Sequence, residues 1–337
     1  MAHRHVLSMH MDRRALITAL AGCLGLTTLS VTAQLPKKLP RIGWLSPNNA
    51  TMNKSFIDAY RQGMVELGYV EGRTVTTEYR FADGSIDRLP GLASELLGLP
   101  VDLIVATGTS AGLAAKQQTK TTPIVFAASA DPVGAGIVAS LAQPGGNATG
   151  MSLMSSDLSG KRLELLREAL PNVSRAAILW DISNAGMTLR VQQTQVAADQ
   201  AKVALLRVGV RTLDELESAL ANLAADRPDL VLVIAEPFTI RHRTRIVEFL
   251  LQQRIPAMFE DRLFVELGGL MSYGPTISDS FRQAAGYVDK ILRGTKPADL
   301  PVAQPTKFEF VVNLRTARAI GVKMPESVLL RADEVIQ

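Results

Sequence analysis

From Arg41 onward the chain carries the same pattern twice, and this repetition constrains its fold more than any other feature. Short runs rich in Val, Ile and Leu alternate with amphipathic segments of helical length, the signature of parallel sheets covered by helices on both faces. A first set of strands is expected at Ile42–Ser46, Val75–Tyr79, Asp102–Ala106, Pro123–Ala127 and Gly150–Ser152. A second set answers at Ala177–Asp181, Val203–Val208, Asp229–Val233, Pro256–Glu260 and Leu270–Tyr273. Helices are predicted at Lys54–Leu67, Arg88–Leu97, Leu158–Ala169, Leu213–Leu223 and Arg241–Gln252, where right-handed crossovers require them. The expected class is α/β, with two Rossmann-like doubly wound lobes of about 110 to 130 residues each, joined by a hinge.

The expected division is residues 40–152 plus about 277–300 for the first lobe and 153–276 for the second. A strand at Lys307–Val312 and a helix at Leu314–Ile320 close the chain within 301–337, and the sequence does not say which lobe they join. Crossings at Thr149–Asp157 and Ser272–Ser278, bearing Gly, Ser or Pro, are the hinge candidates. The helix Asp279–Leu292 is expected to return to the first lobe.

Ahead of the repeats, Arg13-Arg14 precede an apolar run from Ala15 to Val31, which ends at Val31-Thr32-Ala33 before Gln34. Residues 1–33 read as a secretory signal, so the working protein is expected in the periplasm. Leu20-Ala21-Gly22-Cys23 fits a lipobox with Cys23 as the acylated residue, but the apolar run continues past it, which favours soluble release. The arginine pair leaves the general and twin-arginine export routes both open. Cleavage removes Cys23 and three of the four histidines, leaving His242, a poor endowment for thiol or metal chemistry. It also leaves 33 basic against 31 acidic residues, no footprint for nucleic acid. No later apolar run reaches membrane-span length, and nothing calls for a cofactor.

In open parallel sheets ligands sit at the carboxyl ends of strands, so two facing lobes place those ends on opposite walls of one cleft. On the first lobe these ends carry Ser46, the Thr107-Gly108-Thr109-Ser110 turn into a helix, Ser129 and Asp131. Small residues and hydroxyls at Thr107–Gly112 suit a carboxylate, although Thr109 or Ser110 would serve equally as a helix cap. The facing lobe offers Asp181, Asn184, Glu236, Asp261 and Tyr273, and carboxylates opposite an anion site suit a zwitterion. Phe81, Phe126, Phe238, Phe259 and Tyr273 are placed to sandwich a flat ligand, whereas Trp44 and Trp180 read as core. Arg241-His242-Arg243-Thr244-Arg245 reads as a solvated helix face or a docking patch. No catalytic pair is specified.

Several segments together resemble the solute-binding proteins of ABC importers in the tryptophan/tyrosine-type group. They are Gly63–Arg73, Val101–Gly108, Asp131–Gly134, Gln143–Asn147 with Thr149-Gly150, Gly268–Pro275, Gln304–Glu309 and Leu329–Glu334. The resemblance implies a type I periplasmic-binding-protein fold and a monomer that delivers a small solute to a permease in the inner membrane. It also implies ligand contacts at Ser46, Thr107 to Ser110, Ser129, Asp131, Asn184, Glu236 and Asp261. Rival readings are a ligand-sensing module for a membrane receptor and an exported two-lobed enzyme. A signal stands where a LacI-type regulator would carry its DNA-binding headpiece.

Overall fold

The computed structural model describes residues 38–153, 158–184 and 187–337. The expected secretory signal, with its candidate lipobox and cleavage site, lies outside these residues, as does part of the first hinge candidate. The order is β1 (Arg41–Ser46), α1 (Lys54–Glu66), β2 (Thr76–Phe81), α2 (Leu89–Leu97), β3 (Leu103–Ala106), α3 (Gly108–Gln118), β4 (Ile124–Ser129) and β5 (Ala148–Ser152). It continues with α4 (Ser159–Ala169), β6 (Arg175–Asp181), α5 (Thr188–Gln200), β7 (Ala204–Val210), α6 (Leu213–Asp226), β8 (Leu230–Val233), α7 (Pro237–Arg241), α8 (Arg243–Gln252) and β9 (Ala257–Phe259). The chain ends with α9 (Arg262–Val265), β10 (Met271–Gly274), α10 (Ile277–Leu292), β11 (Glu309–Asn313), α11 (Leu314–Ile320), α12 (Glu326–Arg331) and β12 (Glu334–Ile336).

The first sheet runs β2-β1-β3-β4-β5, all parallel. The second runs β7-β6-β8-β9-β10 in the same pattern, then adds β11 antiparallel to β10 and β12 parallel to β11. Strands β1, β3, β4, β6 and β8 are apolar on both faces because helices cover both, which is why they stood out as continuous hydrophobic runs. Helix α6 opens with Thr212, whose hydroxyl accepts the Glu215 N–H at 3.2 Å, and Asp214 and Glu215 complement the dipole there. Helix α11 is bracketed by the Asn313 cap and by Gly321 at φ 79°.

Helix α10 buries Ile277, Ser280, Phe281, Ala284, Ala285, Val288 and Ile291, one stripe at spacings of three and four. That stripe packs on α1 of the first lobe. Phe281 stacks on Phe56 with centroids 4.8 Å apart and lies 5.8 Å from Trp44, which in turn meets Tyr60 at 5.3 Å. Trp44 is fully buried, whereas Trp180 is only half-buried. The region read as one helix from Arg241 breaks at His242, and α5, absent from the predicted helices, fills the gap after β6.

Close approach of α1 and α10 depends on Gly63. A Cβ there would lie 2.4 Å from the Arg282 carbonyl oxygen and 2.9 Å from Ala285 Cβ. Backbone cannot yield as a flexible side chain can, so Gly63→Ala is expected to destabilise the fold by about 1–3 kcal/mol, read as a lower urea midpoint.

Candidate functional site

A cavity of about 60 Å³ lies where the carboxyl ends of the two sheets face each other. The first lobe supplies Asn48, Phe56, Thr107, Gly108 and Thr109, and the second supplies Met187, Arg190, Glu236 and Ile240. Phe281 of α10 closes one side. A wider depression of about 570 Å³ lies between β7 and α6, at the outer edge of the second sheet, and takes no residue from the first lobe. The interlobe cavity is therefore the candidate site.

Its first wall is a chain of hydroxyls. Thr107 Oγ1 donates to Ser46 Oγ at 2.9 Å, Ser46 Oγ donates to Asn53 Oδ1 at 2.9 Å, and the Asn48 N–H donates to Ser46 Oγ at 3.3 Å. Gly108, at φ 81°, turns the backbone from β3 into α3, so the amino end of that helix faces the cavity. Thr109 Oγ1 lies 3.2 Å from Ser129 Oγ and accepts the Ala130 N–H at 3.1 Å, which ties α3 to the end of β4. Ser46 and Ser129 are thus buried supports one layer behind the lining.

The second wall is acidic. Glu236 Oε1 accepts the Asp181 N–H at 2.5 Å and Oε2 accepts Asn184 Nδ2 at 2.9 Å. Burial, helped by the nearby Asp181 charge, pushes the Glu236 carboxyl up to about 8. Asp181 Oδ1 accepts the Ser183 N–H at 2.8 Å, and burial raises that carboxyl too. Beside them, Arg190 Nη1 meets Glu260 Oε2 at 2.5 Å, while Glu260 Oε1 takes Arg162 Nη1 at 2.7 Å.

Sequence position alone placed four of the expected residues on the cavity: Thr107, Gly108, Thr109 and Glu236. Asp181, Asn184 and Ser110 lie beside it, with Ser110, Ser183 and Asn184 on a neighbouring interlobe groove. Three expectations are corrected by the geometry. Asp131 turns onto its own loop and accepts the Gly134 N–H at 2.8 Å. Asp261 caps α9 by accepting the Leu263 N–H at 2.9 Å, and burial pushes its carboxyl up to about 6. Tyr273 packs its ring against Phe308 and Phe310 on the second sheet.

The expected ring sandwich is corrected as well. Phe126 and Phe259 are fully buried core, Phe81 stacks on Tyr79, and Phe238 lies against His242. The aromatic surface of the cavity comes instead from Phe56 and Phe281, both carried by helices. Arg241 is no solvated face: its Nη1 donates to the Asp83 carbonyl of the first lobe at 2.9 Å, filling the space a side chain at Gly84 would take. Arg243 Nη1 donates to Ile240 O at 2.8 Å and reaches Met52 Sδ at 3.3 Å. These contacts join the lobes at the cleft mouth.

A family model for ABC transporter substrate-binding proteins matches residues 52–336. The chain belongs to that family. Its fold is the type I periplasmic-binding-protein fold. Among family relatives, a tyrosine-binding protein of Clostridioides difficile is 25% identical over 278 residues, 82% of this chain and 78% of that protein. The ABC domain from Streptococcus pneumoniae in complex with L-Trp superposes with a TM-score of 0.83 at 26% identity, covering 88% of this chain and all of that one. A conserved domain protein from Vibrio cholerae gives 0.84 at 26% identity, with the same coverage. Among the described residues no helix is long and apolar enough to cross a membrane.

Two outcomes are expected from this geometry. Glu236 and Asp261 hold their protons more tightly folded than unfolded, so their contribution to stability is complete at low pH and is lost as pH rises through their folded values. Melting temperature should fall from pH 5 to 8, and Glu236→Gln should flatten the upper part of that fall, worth on the order of a few kcal/mol. Separately, Arg241→Ala removes a cross-lobe hydrogen bond worth about 1 kcal/mol. Roughly a fivefold shift toward separated lobes should follow, read by small-angle scattering as a larger radius of gyration in the unliganded protein.

Proposed function

We propose that the protein captures a small aromatic amino acid outside the cytoplasm and delivers it to an ABC permease. The observation that carries this reading is the interlobe cavity itself, which sets an aromatic surface, Phe56 with Phe281, beside polar groups from both lobes. The relatives named for tyrosine and described with L-Trp support the same solute class. On this reading Thr107, Gly108, Thr109 and Glu236 are ligand contacts, and Ser46, Ser129, Asp181 and Asn184 hold them in place.

The mechanism is closure without bond chemistry. A cavity of about 60 Å³ has room for only about two waters, whereas small-molecule sites enclose about 300 Å³ or more. The solute therefore enters with the lobes apart, and they close around it to a wider cavity than the one seen here. Contacts made only in the closed state favour that state, and a change from 1:99 to 99:1 needs about 5.5 kcal/mol of differential binding. The permease reads the closed form. The expected leader at residues 1–33 would bring the protein to the compartment where that meeting takes place.

Thermal shift and titration calorimetry with L-tyrosine, L-tryptophan, L-leucine and benzoate test this reading. A ligand at a hundredfold over its Kd adds about 2.7 kcal/mol, so either aromatic amino acid should raise the melting temperature by several degrees. Stabilisation by leucine or benzoate with none from tyrosine or tryptophan would sink it.

A further inference from the structure

Two buried polar atoms on the cavity wall have no hydrogen-bond partner among the described residues: Asn48 Oδ1 and Arg190 Nε. They are opposite in character. One is an acceptor on the first lobe and the other a charged donor on the second. Asn48 is 6% exposed and Arg190 2%, so neither is satisfied by bulk solvent. An unmade hydrogen bond at such a place costs free energy that an interior rarely spends without return.

Charge points the same way. Arg190 and Arg162 share the single buried Glu260 carboxylate. Glu260 has both oxygens engaged, Oε2 also accepting the Ala235 N–H at 3.0 Å, so it cannot turn to cover the remaining Arg190 donor. A buried guanidinium with a donor left over takes an anion in preference to a neutral acceptor, because the charge-assisted hydrogen bond is the stronger one. The amino end of α3 faces the same cavity and adds partial positive charge. Glu236 lies on the second wall beside Arg190.

We propose that Arg190 Nε receives the carboxylate of the bound amino acid, and that Asn48 Oδ1, together with Glu236, receives its ammonium. This rests on the amino-acid reading above and deepens it. The head group is gripped from both lobes, by Asn48 on one side of the cleft and by Arg190 with Glu236 on the other.

Titration calorimetry with three probes on the purified protein separates the parts: L-tryptophan, tryptamine, which has no carboxylate, and indole-3-propionate, which has no ammonium. Arg190→Met is expected to weaken L-tryptophan and indole-3-propionate by about tenfold or more while leaving tryptamine within about twofold, since a charged hydrogen bond carries that much. Asn48→Ala is expected to weaken L-tryptophan and tryptamine while sparing indole-3-propionate. Should Arg190→Met fail to fold because Glu260 loses a partner, Arg190→Lys and Asn48→Ala decide the matter, the Asn48 side-chain oxygen having no partner to lose. Equal losses for all three probes, or no loss for L-tryptophan, would overturn the head-group assignment alone. An unmodified protein that binds neither L-tryptophan nor L-tyrosine would overturn the aromatic amino-acid reading and this assignment with it.

Discussion

The second lobe's share of the cleft hangs on one carboxylate. Glu260, just past β9, takes Arg162 from α4 and Arg190 from α5, and its Oε2 also accepts the Ala235 N–H at the end of β8. Arg162 extends the chain by donating its Nε to the Tyr273 carbonyl on β10 at 2.8 Å. Three strand ends and two helices are thereby fixed against each other. Even the backbone is shaped to fit, since a Cβ at Gly274 would lie 2.0 Å from the Glu260 carbonyl oxygen. Buried ion pairs of this kind add little net stability over apolar packing, yet removing one partner costs about 3–5 kcal/mol. The cluster is better understood as a positioning device, one that presents a cation to the cleft in a single geometry.

On the proposed function, that device matters because the cleft has to open. The cavity walls come from two lobes, and among the described residues Arg241 donates to the Asp83 carbonyl and Arg243 reaches Met52 at its mouth. A hydrogen bond of this kind is worth about 1 kcal/mol, so a ligand that touches both walls can add more to the closed state than these contacts do.

The fold was legible in the sequence because parallel strands covered on both faces read as unbroken apolar runs, and the repetition of those runs revealed two lobes with the same strand order. The strand-end rule led to Thr107, Gly108, Thr109 and Glu236 for a physical reason: each lies at the turn from a strand into the first turn of a helix, on the cavity wall. The same rule misplaced Asp131, Asp261 and Tyr273, which also sit at strand ends. Asp131 and Asp261 spend their carboxylates on nearby N–H groups, and the Tyr273 ring belongs to the face that packs on β11. Phe56, Phe281 and Arg190 escaped notice because they ride on helices. A helical stripe announces burial without telling whether the covering surface is its own core or a cleft. For Arg190 one signal was present, a lone cation between Leu189 and Val191 on an otherwise uncharged turn.

On the proposed function, the end of the chain limits how the lobes can open. After α10 returns to pack on α1, residues 300–303 are stitched to the first sheet: Thr149 Oγ1 donates to the Leu300 carbonyl at 2.6 Å and the Ser152 N–H to the Ala303 carbonyl at 2.9 Å. The chain then leaves for β11 and β12, which extend the second sheet beyond β10. The lobes are therefore joined where β5 leaves the first sheet, where β10 passes into α10, and again where residue 303 runs on to β11. A single strand of chain would permit any relative movement, whereas several side by side resist twisting and sliding and leave bending about the line they share. Bending about that line separates Asn48 from Arg190 and reunites them in the same register, so the two halves of the head-group site meet again in the same geometry at each closure.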